Sequence, residues 1–195
     1  MSGSAAGGAV WIQAAGALVV LAVAVHCAAR LAQVSRAAAR PAAARPAAAW
    51  AGADALMALG LAAMLSPLGN PIPAAAGEVA FGLVVAGALA GTLTSREARG
   101  RATWVGHAVG GAAMAYMFAT MSGGAFGLLT WVLVAYFAAF AVWSALATAR
   151  GVSVGVVAVA GPGRTVPGIV LAPPMISLCH VVMATGMVTL LLAMR

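Results

Sequence analysis

Within HAVGGAAMAYMFATM, residues 107–121, one imidazole and three thioethers recur at helical spacing: His107, Met114, Met117 and Met121. At about 100° per residue they fall within an arc of about 80°, forming one stripe along one helix face. The last apolar run repeats the order, His180, Met187 and Met194 having the His-x6-Met-x6-Met spacing of His107, Met114 and Met121, with Met183 on the same side. A third version carries an acid in place of histidine: Asp54, Met57 and Met64, where Asp54 precedes Met64 by the same interval as His107 precedes Met117. Thioether sulfur is a soft, neutral donor that favours Cu(I); imidazole accepts either copper state, and neither suits magnesium or calcium. A ladder of neutral sulfurs can hold a soft monovalent cation weakly at several levels, which permits both entry and exit. Asp54 fits a ligand, an orienting partner for a histidine, or a proton acceptor.

The elements that position these side chains follow from composition. Of 195 residues, 64% are hydrophobic and 7% charged, and the mean hydropathy is +1.07. A soluble domain of this size needs more polar surface, so the chain reads as an all-α, polytopic transmembrane bundle forming a single membrane domain. Apolar segments of about twenty residues predict six spans, near 10–32, 50–66, 77–94, 102–121, 125–148 and 174–194. The ten basic residues are all arginine, and the net charge is +7. They cluster in the connections between apolar runs, where they set topology and meet anionic headgroups, so nucleic acid is not the expected partner; the lipid bilayer is. Arg30, Arg36, Arg40 and Arg45 lie at the first connection, Arg96, Arg99 and Arg101 at the third, Arg150 and Arg164 at the fifth. The positive-inside rule then puts both termini outside and those loops in the cytoplasm. The first run lacks a preceding basic residue and is long for a signal peptide, so it is expected to be retained as a span.

Other segments have plainer readings. RAAARPAAARPAAA, residues 36–49, reads as a cytoplasmic linker, and residues 151–174, rich in Val, Gly and Pro, as a mobile or re-entrant loop. Gly82, Gly87 and Gly91 suggest close helix contact on the third span. Cys27 and Cys179 are too isolated for a disulfide framework or paired zinc spacing, and read as small apolar residues. Trp11, Trp50, Trp104, Trp131 and Tyr136 are assigned to interfaces or packing. Serine, histidine and aspartate all occur without a nucleophile motif, so no enzyme is expected.

Depth ties the stripes together. Spans two, four and six run the same way, and Asp54, His107 and His180 each fall within about the first six residues of their span. His26 lies near the inner end of span one, which runs oppositely. Four ionisable side chains therefore share one layer near the cytoplasmic face. Each heptad rises roughly 10 Å, placing Met114 and Met187 in a middle layer and Met121 and Met194 near the outer surface.

In style of site these residues resemble the polytopic copper proteins of bacterial membranes, namely the copper-resistance CopD-type proteins and, more distantly, the Met-lined Ctr copper transporters. Met117 with Met121, and Met183 with Met187, match the Met-x3-Met signature of the latter, although six spans depart from their three. The Arg-only, Ala-rich composition also resembles small actinobacterial membrane proteins grouped under a domain of unknown function. The residues point to a multi-pass protein of the bacterial inner membrane that takes up, transfers or delivers Cu(I), with His107, His180 and Asp54 as the inner site and the methionines as the path toward it; a copper chaperone or membrane-complex partner is expected, oligomerisation is left open, and the Ctr transport mechanism does not carry over. Two alternatives stand beside this reading. One is haem held by two histidines or a His/Met pair, with Gly106, Gly110, Gly111 and Gly186 giving a porphyrin room; its weakness is that all three histidines share one layer. The other is a non-catalytic subunit whose polar residues serve helix association.

Overall fold

A computed structural model describes residues 3–37, 41–121, 127–150 and 173–194. It contains six helices: α1 Gly3–Ala37, α2 Pro41–Met64, α3 Ala74–Thr94, α4 Ala98–Met121, α5 Gly127–Ala149 and α6 Pro173–Ala193. Each overlaps one predicted span, and no strand occurs among the described residues. Five are long and apolar enough to cross a membrane. α4 falls short because His107, Tyr116, Thr120 and the glycines at 106, 110 and 111 dilute its apolar content, which a helix shielded from lipid by its neighbours tolerates. The chain is an all-α, multi-pass membrane protein. The Val/Gly/Pro-rich segment read as a loop lies outside the described residues, except that Pro173 and Pro174 open α6.

The expected linker is in part helix. Pro41–Ala49 forms the first turns of α2, with Pro46 inside it. Alanine is the strongest helix former, and proline at the first helical position forfeits an N–H that has no partner there in any case.

Consecutive helices pair along their lengths, α1 with α2, α3 with α4 and α5 with α6, while α2 also touches α3, α4 and α6. Half of α2's apolar window is buried, against 17% for α3 and 22% for α5, so α2 is the central rod. It runs parallel to α4 in fixed register: Asp54 meets His107, Met57 meets Gly110 and Gly60 meets Met114, at an offset constant to within one residue. Asp54 with His180 and Leu61 with Gly186 set the same parallel relation between α2 and α6. The three repeated patterns therefore lie side by side at matching depth.

Phe81 and Phe118 stack at 5.7 Å between α3 and α4, and with Leu61, Met114, Met117 and Leu191 they form a close-packed centre. Glycine makes this packing possible at Gly77, where a Cβ would enter the Phe118 ring, and at Gly91, where it would enter Trp104. The expectation for Gly82 and Gly87 was wrong: nothing lies within 4 Å of a Cβ at either. Their face of α3 looks outward, alongside exposed Leu83 and Leu93, and an outward apolar face suits hydrocarbon.

Candidate functional site

Parallel α2, α4 and α6 bring Asp54, His107 and His180 together, and α1 adds Arg30. Asp54 is 3% exposed. Its Oδ2 accepts a hydrogen bond from Arg30 Nη1 at 3.1 Å. Its Oδ1 lies 3.1 Å from His107 Nε2 and 3.7 Å from His180 Nε2. The other nitrogen of His107, Nδ1, donates to the Thr103 carbonyl at 2.8 Å, fixing the ring. Trp104 packs against His107 at 6.3 Å, and Phe140 meets His180 edge-on at 6.2 Å. Since Nδ1 already holds a proton against a carbonyl, the contact between Nε2 and Oδ1 is a hydrogen bond only if a further proton lies between those two atoms.

A cavity of about 290 Å³ opens beside this cluster. Arg30, Asp54, His107 and His180 form its polar wall, Met57, Met183 and Met187 supply three thioethers, and Trp50, Tyr136, Phe137 and Phe140 close it with rings. Three polar groups of its lining residues, Trp50 Nε1, His180 Nδ1 and Arg30 Nε, are buried without a hydrogen-bond partner. Concave, mostly apolar walls with a few convergent polar groups are the usual form of a small-ligand site.

The remaining predicted residues divide. Met114 and Met117 are fully buried in the close-packed centre and do not reach the cavity. Met64 and Met194 pack at its edge, where Met194 Sδ accepts from Thr120 Oγ1 at 3.6 Å. Met121 is 51% exposed, its sulfur 3.5 Å from Asn70 Nδ2, which donates to it. His26 misses the main cavity and lies with Cys27, Arg30, Asp54, Cys179 and His180 at a close contact that leaves no room for a water molecule. Among the described residues, no three His, Cys, Asp or Glu side chains gather closely enough to hold a metal ion; a donor set of three or more in this cavity has to include methionine.

A family model described as a domain of unknown function, DUF5134, matches residues 47–194. The chain belongs to the DUF5134 family. No curated protein and no solved structure matches it. The DUF5134 match takes in α2 from Ala47 through α6, hence Asp54, both cavity histidines and the three cavity methionines, whereas His26, Cys27 and Arg30 on α1 precede it.

Three functional candidates escaped sequence reasoning. Arg30 was read as a topology signal, yet it lies inside the predicted first span, and a charge within a span is itself a marker of function. Tyr136 was assigned to packing or an interface and instead lines the cavity. Cys27 and Cys179 were read as isolated; the fold sets them in one buried cluster between α1, α2 and α6.

Proposed function

We propose that this DUF5134 protein binds Cu(I) within the membrane and takes it up, transfers it or delivers it through the cavity between α2, α4 and α6. One observation carries the reading: three thioethers, Met57, Met183 and Met187, and two imidazoles, His107 and His180, line one cavity. Soft sulfur and imidazole together select Cu(I) over hard cations. Charge supports a monovalent ion. Arg30 and Asp54 neutralise one another and the thioethers are neutral, and an ion that takes His107 Nε2 displaces the proton between it and Asp54. A single positive charge then replaces another, and the buried cluster keeps its net charge. The haem alternative has less support, because the two histidines meet over one carboxylate oxygen rather than facing each other across a slot. In the membrane, the arginine loops face the cytoplasm and the His/Asp layer lies toward the inner leaflet of the cell membrane.

The test compares two pairs of methionines. Met57→Leu with Met187→Leu should weaken Cu(I) binding at least tenfold in competition with a Cu(I) chelator, whereas Met114→Leu with Met117→Leu should leave it within about twofold, since leucine conserves volume. Equal effects of the two pairs would return all four residues to packing and remove thioether ligation from the proposal.

A further inference from the structure

α1 carries His26-Cys27 and α6 carries Cys179-His180. The two helices run antiparallel, because α1 is the hairpin partner of α2 and α2 is parallel to α6. The mirrored dipeptides therefore face each other across one contact. Both thiols are free and buried and pack in one cluster with Val23, Ala24, Ala58 and Met183. Around this contact, too tight to admit a water molecule, stand His26, Cys27, Cys179 and His180 together with Arg30 and Asp54. Two nitrogens of these residues, His26 Nε2 and His180 Nδ1, are buried without a hydrogen-bond partner, as is Arg30 Nε. Unpaired polar atoms are rare in buried positions and call for an explanation.

His180, Arg30 and Asp54 border both the cavity and this contact. The imidazole of His180 directs Nε2 to Asp54 at 3.7 Å and leaves Nδ1 unpaired, so one ring connects the thioether cavity to the thiol pair.

We propose that Cys27 and Cys179 form a second site, a dithiolate that takes a soft monovalent metal ion, Cu(I) or its analogue Ag(I), handed over through His180. The inference rests on the copper reading of the larger cavity. Two thiolates suffice for a two-coordinate soft ion, so a third His, Cys, Asp or Glu ligand is not required. Binding breaks two S–H bonds, forms two metal–sulfur bonds and releases two protons; no electron moves. The product carries one negative charge, which the Arg30 guanidinium, already shared with Asp54, offsets only in part. Thiolate is a far better Cu(I) donor than thioether, so the order of the sites is downhill from methionine to cysteine.

The experiment titrates the purified full chain in detergent with Cu(I) against a competing chelator, reading bound metal, released protons and near-ultraviolet thiolate-to-copper absorption. Wild type should bind two ions and release about three protons, one from the His107–Asp54 contact and two from the thiols. Cys27→Ser with Cys179→Ser should bind one ion, release about one proton and lack the absorption. Two ions with unchanged proton release in the double variant would overturn the dithiolate while leaving the larger cavity's role intact. No copper bound by wild type would overturn the copper reading itself. The wild-type absorption is decisive without any variant: one-ion binding with no thiolate band would overturn the second site even if the double variant failed to fold.

Discussion

Asp54→Asn isolates what holds the polar cluster together. Arg30 and His107 hydrogen-bond to the two carboxylate oxygens, and His180 Nε2 lies 3.7 Å from one of them. Asparagine keeps the shape but offers one acceptor oxygen, turns an NH2 donor toward another donor and leaves Arg30 without a counter-charge. Across the 3.1 Å separation of Arg30 and Asp54, the attraction at an effective dielectric near 20 is about 5 kcal/mol. Removing one partner of such a buried pair costs about 3–5 kcal/mol, because the survivor stays charged and dehydrated. For a chain of this size that lowers the unfolding midpoint by roughly 6–20 °C. Cys27 and Cys179 are the only thiols and are buried, so thermal unfolding in detergent micelles can be followed by their reaction with a thiol-specific fluorophore. Arg30→Met with Asp54→Leu should recover most of the loss, short of about 1 kcal/mol for the hydrogen bond His107 no longer makes. A shift below about 1 kcal/mol for Asp54→Asn, as an exposed pair would give, or a double variant as unstable as the two single losses added, would refute the reasoning.

Further expectations concern packing, ligation and orientation. Gly77→Ala and Gly91→Ala drive a methyl into the rings of Phe118 and Trp104 and should each cost at least about 1–3 kcal/mol; Gly82→Ala and Gly87→Ala, with open space around them, should be neutral or stabilise by about 0.4–1 kcal/mol, measured by the same thermal assay. Gly110→Ala places its Cβ 2.8 Å from the Met57 sulfur, so it should shift that flexible thioether and weaken Cu(I) binding more than it lowers stability. His107→Ala with His180→Ala should remove the ion of the larger cavity, leaving at most the one held by the thiols, while the protein still reaches the membrane; unchanged copper content would remove the histidines from the site. Single cysteines placed beside Arg96 and Arg150 in a Cys27→Ser, Cys179→Ser background should be shielded from a membrane-impermeant reagent in intact cells and labelled in inverted vesicles; the opposite pattern would reverse the orientation.

What the sequence made legible was whatever repeats along a helix. Apolar length predicted the six rods, and the direction of the spans with position along each placed Asp54, His107 and His180 at one level, where the structure joins them. The ladder itself could not separate ligand from filler: Met57, Met183 and Met187 face the cavity, while Met114 and Met117 fill the centre against Phe81 and Phe118. Both outcomes have the same periodicity, and only the placement of neighbouring rings distinguishes them. Gly82 and Gly87 misled for a related reason, since small residues permit contact only where a partner arrives. Arg30 belonged to two patterns, the positive-inside rule and charge within a span, and the second was the informative one. Tyr136, Phe137 and Phe140 come from α5, and Cys27 meets Cys179 across most of the chain; no local spacing encodes either meeting.

The central claim is that soft donors of three helices bind Cu(I), and it is tested most directly on the unmodified protein. Purified in detergent, loaded with Cu(I), passed over a desalting column against a chelator and then assayed for metal and absorbance, the full chain is expected to retain copper and show no Soret band. Copper no higher than in a protein-free control, or a Soret band without copper, would contradict it.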